Sequence, residues 1–194
     1  MERDKFNVLV NGMGNIGTTL VNLLVRYKTQ LNLGKIYVSK RSVNPWNEVE
    51  RDVLKEAGVE ICTVEEQNGQ LHLNAVLQEV SYIFEAAANG VGLANMEAYN
   101  ALPNLVGSSA QGSEKGYGIP FMSGVNNEIV AHEKFVNVVS CNTHGSAAIL
   151  STFAGKNLEN LDYADFVVVR RSEDLSNHQR LVSANVVARH LDEN

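Results

Sequence analysis

The chain has 194 residues, 44% of them hydrophobic and 20% charged, with a formal net charge of −6; that suits one large domain with a real core, or one domain and part of another. The acidic balance argues against sequence-independent nucleic-acid binding, which needs a basic footprint. No apolar run approaches a membrane span, and the start "MERDKFNVLV" lacks a signal peptide's apolar region and cleavage site.

In chain order, "FNVLVNG" (6–12) is a continuous apolar run ending at a glycine, as expected of a strand buried on both faces. "NIGTTLVNLLVRYKT" (15–29) has Ile16, Leu20, Leu23 and Leu24 at helical spacing, with Arg26 and Lys28 in its last turn, where a helix favours cations. "KIYVSK" (35–40) reads as a second strand, "NEVERDVLKEAG" (47–58) as an exposed helix closed by Gly58, and "VEICTV" (59–64) as a third strand. "EEQNGQLHLNAVLQ" (65–78) has a turn at Asn68-Gly69 and then a weak helical pattern. "YIFEAA" (82–87) and "NLVGSS" (104–109) are short strands flanking the helical "LANMEAYNAL" (93–102). "IPFMSGVN" (119–126) and "FVNVVSC" (135–141) follow, separated by the helical "NEIVAHE". Strands alternating with helices imply crossovers, and so a mostly parallel sheet of the α/β class. After Cys141 comes one helix, then "ADFVVVRRS" (164–172) and "RLVSANVVARH" (180–190), whose alternation suits antiparallel strands with one wet face. The expected organisation is a nucleotide-binding domain over 1–140 and the start of an α+β catalytic domain over 141–194.

The first strand runs into "NGMGNIG", giving Gly12, Gly14 and Gly17 in a G-x-G-x-x-G fingerprint placed between a strand and a helix. Gly12 permits the tight turn, Gly14 lets backbone approach a pyrophosphate, and Gly17 allows close helix–strand packing. The helix N-terminus then offers free N–H groups to the anion. The expectation is a Rossmann-type dinucleotide site. About 20 residues past the last glycine, where an NAD-preferring site carries an acid for the ribose 2′-hydroxyl, this chain reads Ser39-Lys40-Arg41-Ser42. Two cations and two hydroxyls suit a 2′-phosphate, so NADP is the preferred expectation and NAD the other.

Two cysteines far apart in sequence, Cys62 and Cys141, make no disulfide framework, and a reducing cytoplasm is the expected compartment. Five scattered histidines form no ligand-spaced cluster, so no metal is expected. Cys62, inside "VEICTV", reads as a core residue. Cys141 has two readings. A free cysteine is commonly a small buried hydrophobe, but at a strand end entering a helix a thiol gains thiolate character and nucleophilicity. Beside a nicotinamide, that chemistry is aldehyde oxidation through a hemithioacetal and a thioester, which phosphate or water then attacks.

The ordered blocks "VNGMGNIG", "EAAANGVGLAN", "QGSEKG", "SGVNNE", "VVSCNTHG" and "VVVRRSED" resemble the archaeal-type (type II) glyceraldehyde-3-phosphate dehydrogenases over essentially the whole chain. The "SCNT" block is the most specific of them and the glycine fingerprint the least. The resemblance implies a phosphorylating dehydrogenase using NADP or NAD, acting on a phosphorylated aldehyde and inorganic phosphate, and built as a homotetramer with Cys141 as nucleophile. It implies that Asn15 and Ile16 touch the pyrophosphate and that Gly112 lies against the cofactor. Ser140, Asn142 and Thr143 would surround the substrate with Cys141. Arg170 and Arg171 would face anionic groups of cofactor and substrate, a geometry that suits guanidinium forks, although consecutive strand residues point to opposite faces.

The chain departs from the family's pattern at Ala86-Ala87-Ala88-Asn89-Gly90, where the family tends to have Ala-Thr-Pro-Gly-Gly, and at His144-Gly145-Ser146, where it tends to have Thr-Gly-Leu. The family's chains are longer by roughly a domain, and its catalytic histidine and His-His phosphate site fall beyond "RHLDEN", so the chain is expected to be an N-terminal fragment. His144 is a weak local candidate for the base. His178 and His190 read as solvated, and Trp46 as a loop anchor or an adenine platform. Two alternatives stay open: a non-catalytic NAD(P)-binding module, and a related semialdehyde dehydrogenase.

Overall fold

The computed structural model describes residues 5–40, 48–63, 71–112, 114–155 and 157–168. Among these, eight strands form one sheet: β1 (Phe6–Asn11), β2 (Leu33–Ser39), β3 (Val59–Thr63), β4 (Leu71–His72), β5 (Tyr82–Glu85), β6 (Gly107–Ala110), β7 (Ile119–Phe121) and β8 (Phe135–Val138). The helices are α1 (Asn15–Arg26), α2 (Glu48–Glu56), α3 (Leu73–Leu77), α4 (Val91–Asn100) and α5 (Cys141–Ala154), with a 3₁₀ turn at Asn127–Ala131. The strand order is β4-β3-β2-β1-β5-β6-β8-β7, and every pairing is parallel. This is a Rossmann-like α/β fold. Among the described residues, no helix is long and apolar enough to cross a membrane.

The continuous apolar strands are explained by cover on both faces. Val8, Val10, Ile36 and Val38 enter a core with Val21 and Leu24 of α1 and Leu54 of α2. The alternating residues Leu9, Tyr37 and Ile83 enter the opposite core with Val76, Tyr99 and Phe135. Cys62 belongs to that second core and is fully buried; burial pushes its thiol up to about 12.

The order of the strands fixes where a ligand can go. From β1 the chain winds outward through β2, β3 and β4, then returns to place β5 on β1's other side. The two halves diverge between β1 and β5, and in such sheets the crevice opens beyond the carboxyl ends of the strands. With every strand parallel, the segments leaving β1, β5, β6 and β8 all emerge on that edge.

Several expectations need correction. Of the apolar residues at helical spacing in α1, Ile16 and Leu23 are half-exposed, and Gly17, Val21 and Leu24 turn inward. The reason is backbone crowding: a Cβ on Gly17 would lie 1.9 Å from the Gly12 carbonyl oxygen, so this face must be the one against β1. The strand expected to reach Cys141 stops at Val138, because Ser140 caps α5 and Cys141 is its first residue. The strand over 119–126 ends at Phe121, and "NEIVAHE" makes a 3₁₀ turn. The strand expected over 164–172 is not formed in its described part: residues 164–168 have no regular structure. Its remainder and the run at 180–190 lie outside the described residues, and the proposed boundary near 140 stays a proposal.

Candidate active site

Gly12 terminates β1 in the left-handed region, at φ +102°, where a side chain is strained. A Cβ there would also lie 2.5 Å from the Ala87 backbone nitrogen, so the glycine loop runs directly against the segment leaving β5. Gly14 occupies the N-cap position of α1 with no side-chain cap, and the first turn has no acid. A Cβ on Gly14 would meet no protein atom within 4 Å. A helix start with free N–H groups and open space above it is the cradle a pyrophosphate requires. Asn15 and Ile16 are the first two helical residues; their N–H groups belong to this cradle, whereas the Ile16 side chain points to an outer groove with Thr19, Leu20 and Leu23.

At the end of β2, Lys40 has an acidic neighbour that the order of residues conceals. Lys40 Nζ is 3.3 Å from Glu50 Oε2, brought in from α2. The reading of this corner as purely cationic is therefore corrected. Beside it, Met13, Thr18, Val21, Asn22, Glu50 and Val53 line a cleft of about 500 Å³ between α1 and α2. Arg41 and Trp46 lie outside the described residues.

Beneath the glycine loop is a buried polar network. Ser39 donates to Asn11 Oδ1 (2.6 Å) and Asn11 Nδ2 donates to both oxygens of Glu85 (3.0 and 2.8 Å). Tyr99 and the Ala87 N–H also donate to Glu85, at 3.0 and 3.2 Å. Burial raises the Glu85 pKa, while these donors pull it down. The network ties the ends of β2, β1 and β5 together under the crevice. Sequence reasoning passed over it; the available signal was a polar residue closing each apolar strand, Asn11 in "VLVN" and Glu85 in "YIFE".

Three inter-strand steps separate β1 from β8, about 14 Å along the sheet edge. There Ser140 accepts the Thr143 N–H at 3.3 Å as the cap of α5. Cys141 is exposed, and among the described residues its Sγ has one hydrogen-bond partner, Asn142 Oδ1 at 3.9 Å. No acid sits in the first turn, so the positive end of α5 faces outward around the thiol. Gly112 packs on the peptide just before it: a Cβ would lie 2.6 Å from the Ser140 nitrogen. His144 Nε2 donates to the Ser123 carbonyl at 2.9 Å and is not bonded to Cys141. The sheet edge thus brings together Gly12, Gly14, Asn15, Gly17, Gly112, Ser140, Cys141, Asn142 and Thr143, with Lys40 at the far end. Arg170, Arg171, His178 and His190 lie outside the described residues.

No family model matches the chain. It is 27% identical over 184 residues to the glyceraldehyde-3-phosphate dehydrogenase of Sulfurisphaera tokodaii, covering 88% of this chain and 50% of that one. The same-named protein of Pyrococcus abyssi is 28% identical over 188 residues (91% and 52%), and that of Thermococcus onnurineus 30% identical over 182 (88% and 51%). The chain spans about half the length of the curated relatives it matches. A solved structure of aspartate semialdehyde dehydrogenase II from Vibrio cholerae superposes with a TM-score of 0.53 at 17% identity, over 78% of this chain and 47% of that one, a likeness of fold. Over about nine tenths of its length, the chain is similar to the N-terminal portion of archaeal glyceraldehyde-3-phosphate dehydrogenases.

Proposed function

We propose that this chain supplies the dinucleotide cradle and the nucleophile of a phosphorylating aldehyde dehydrogenase that converts glyceraldehyde 3-phosphate to its acyl phosphate. One observation carries the reading: an uncapped, sterically open glycine loop and an exposed cysteine at a helix start emerge on the same edge of one parallel sheet. The bound nicotinamide group would supply a hydride acceptor. The α1 N–H groups hold its pyrophosphate, and Gly12 and Gly17 keep that loop low enough for close approach. Lys40 favours a 2′-phosphate and Glu50 a 2′-hydroxyl, so NADP and NAD both enter and the Lys40–Glu50 pair sets their ratio.

Cys141 Sγ, as thiolate, bonds to the aldehyde carbon while the carbonyl π pair moves to oxygen and takes a proton, giving a hemithioacetal; loss of that carbon's hydride to the acceptor and of the hydroxyl proton to water leaves a thioester. Phosphate oxygen then bonds to the acyl carbon as the carbon–sulfur bond breaks, and the electron pair returns to sulfur. Ser140, Asn142 and Thr143 border that carbon. The same reading takes a phosphorylated aldehyde and inorganic phosphate as small-molecule partners, a homo-oligomer as the assembly and the cytoplasm as the compartment. Run backwards, the last step needs neither cofactor nor general base, so the chain alone can be tested. Acetyl phosphate should place a hydroxylamine-labile acyl group on Cys141, absent in Cys141→Ser and absent from Cys62. Acylation no faster than that of a small free thiol would refute the assignment.

A further inference from the structure

Glu114 is a buried carboxylate that the chemistry above does not use. Only 2% of its surface is exposed, yet both oxygens are engaged: Oε2 accepts the Gly90 N–H and Oε1 the Leu93 N–H, each at 2.7 Å. It therefore caps α4, which follows β5, from the loop after the neighbouring strand β6. Asn89 stands immediately before Gly90 and belongs to a residue type that caps helices locally, but no side chain serves as the local cap at this end. The long-range carboxylate has taken that place.

The same loop is held just as firmly on its other side. Asn137 of β8 donates to the Gln111 and Glu114 carbonyls, at 3.2 and 2.9 Å. The Glu114 N–H closes the turn on the Gln111 carbonyl at 2.9 Å. Gly112, inside this turn, rests on the Val139–Ser140 peptide with no room for a side chain. This loop thus bridges the segment after β5, which flanks the glycine loop, and the Val139–Ser140 peptide just before Cys141.

We propose that Glu114 is a positioning residue that couples occupancy of the dinucleotide crevice to the placement of Cys141; this rests on the dinucleotide reading above. A ligand that shifts the 86–90 segment pulls on the Glu114 carboxylate directly through the Gly90 N–H and, through the start of α4, the Leu93 N–H, and the loop passes the shift to Ser140. In Glu114→Gln the side chain keeps its shape, but its NH₂ opposes one of the two backbone N–H donors, so one tether is lost.

The test is the rate of Cys141 alkylation by iodoacetamide, with and without saturating NADP, in wild type, Glu114→Gln and Asn137→Ala. Wild type is expected to change its rate about tenfold on binding, a coupling of ordinary size. Both variants are expected to bind the dinucleotide within about threefold of wild type while the rate change falls below about twofold. A cap that merely stabilises α4 would lower the melting temperature and leave the ratio intact, so a preserved ratio in folded Glu114→Gln overturns the proposal. Should that variant not fold, a preserved ratio in Asn137→Ala does the same. No rate change in wild type despite measured binding overturns the coupling and the shared crevice together; no binding overturns the dinucleotide reading itself.

Discussion

Replacing Gly14 with alanine separates a ligand's needs from the protein's own. At this position a Cβ meets no protein atom within 4 Å, and the backbone, at φ −80° and ψ −164°, is open to any residue. Two small effects on stability oppose each other. Alanine is a poorer N-cap than glycine, while the unfolded chain loses about 0.4–1 kcal/mol of conformational entropy. The net change should stay within about 1 kcal/mol. The new methyl group occupies the space above the α1 N–H groups, where a pyrophosphate would lie, and should weaken dinucleotide binding at least about tenfold, or 1.4 kcal/mol. Gly17→Ala is the contrast. Its Cβ would lie 1.9 Å from the Gly12 carbonyl oxygen, and prising α1 from β1 should cost about 3 kcal/mol or more, since the group it meets is backbone and has no rotamer to escape into. Urea unfolding and calorimetric titration with NADP and NAD measure both quantities. A Gly14→Ala protein that binds either dinucleotide as tightly as wild type would show that the open cradle is not where the phosphates go.

Cys141 should react with iodoacetamide at neutral pH and Cys62 should not: with its pKa pushed up to about 12, Cys62 is thiolate in only about one molecule in 10⁴ at pH 8. Comparable labelling of both cysteines in folded protein, read by peptide mass spectrometry, would contradict the burial described. Glu50→Gln should shift preference toward NADP over NAD by up to about fivefold, the reach of a partly exposed ion pair, and most strongly at low salt; an unchanged ratio would remove Glu50 from the specificity corner. Burial of Glu85 raises its folded pKa above the ordinary carboxylate value. The native state therefore holds that proton to higher pH than the unfolded chain, and wild type should lose stability as pH climbs from the ordinary carboxylate range through the raised value. Urea midpoints of Glu85→Gln should lack that decline, and parallel pH profiles would refute it.

Much of the fold was legible because its signals are local. The run "FNVLVNG" announced a strand covered on both faces, and the glycine spacing announced the turn into α1. Cys141 was legible as a junction residue, although the strand expected to reach it ends three residues earlier, at Val138: the Ser140 hydroxyl captures the Thr143 N–H and starts the helix. What sequence could not give were the encounters between distant residues. Lys40 and Glu50 are ten positions apart, and only the packing of α2 brings the carboxylate to the ammonium. Ile16 and Leu23 have the spacing of a packed face, but the contact of Gly17 with the Gly12 carbonyl decides the rotation of α1. Glu85 and Glu114 read as ordinary acids until the strand order places backbone donors around them.

In the proposed complex a dinucleotide lies along the sheet edge from the glycine loop to Cys141. Backbone amide NMR of the isotopically labelled chain during titration with NADP tests it most directly. Shifts are expected at Gly12–Gly17, at 86–90, at Gln111 and Gly112, and at Ser140–Asn142, all saturating with one dissociation constant. Shifts that spare the 140–142 amides while the glycine loop saturates would place the thiol outside the cofactor's reach and contradict a site shared by the two.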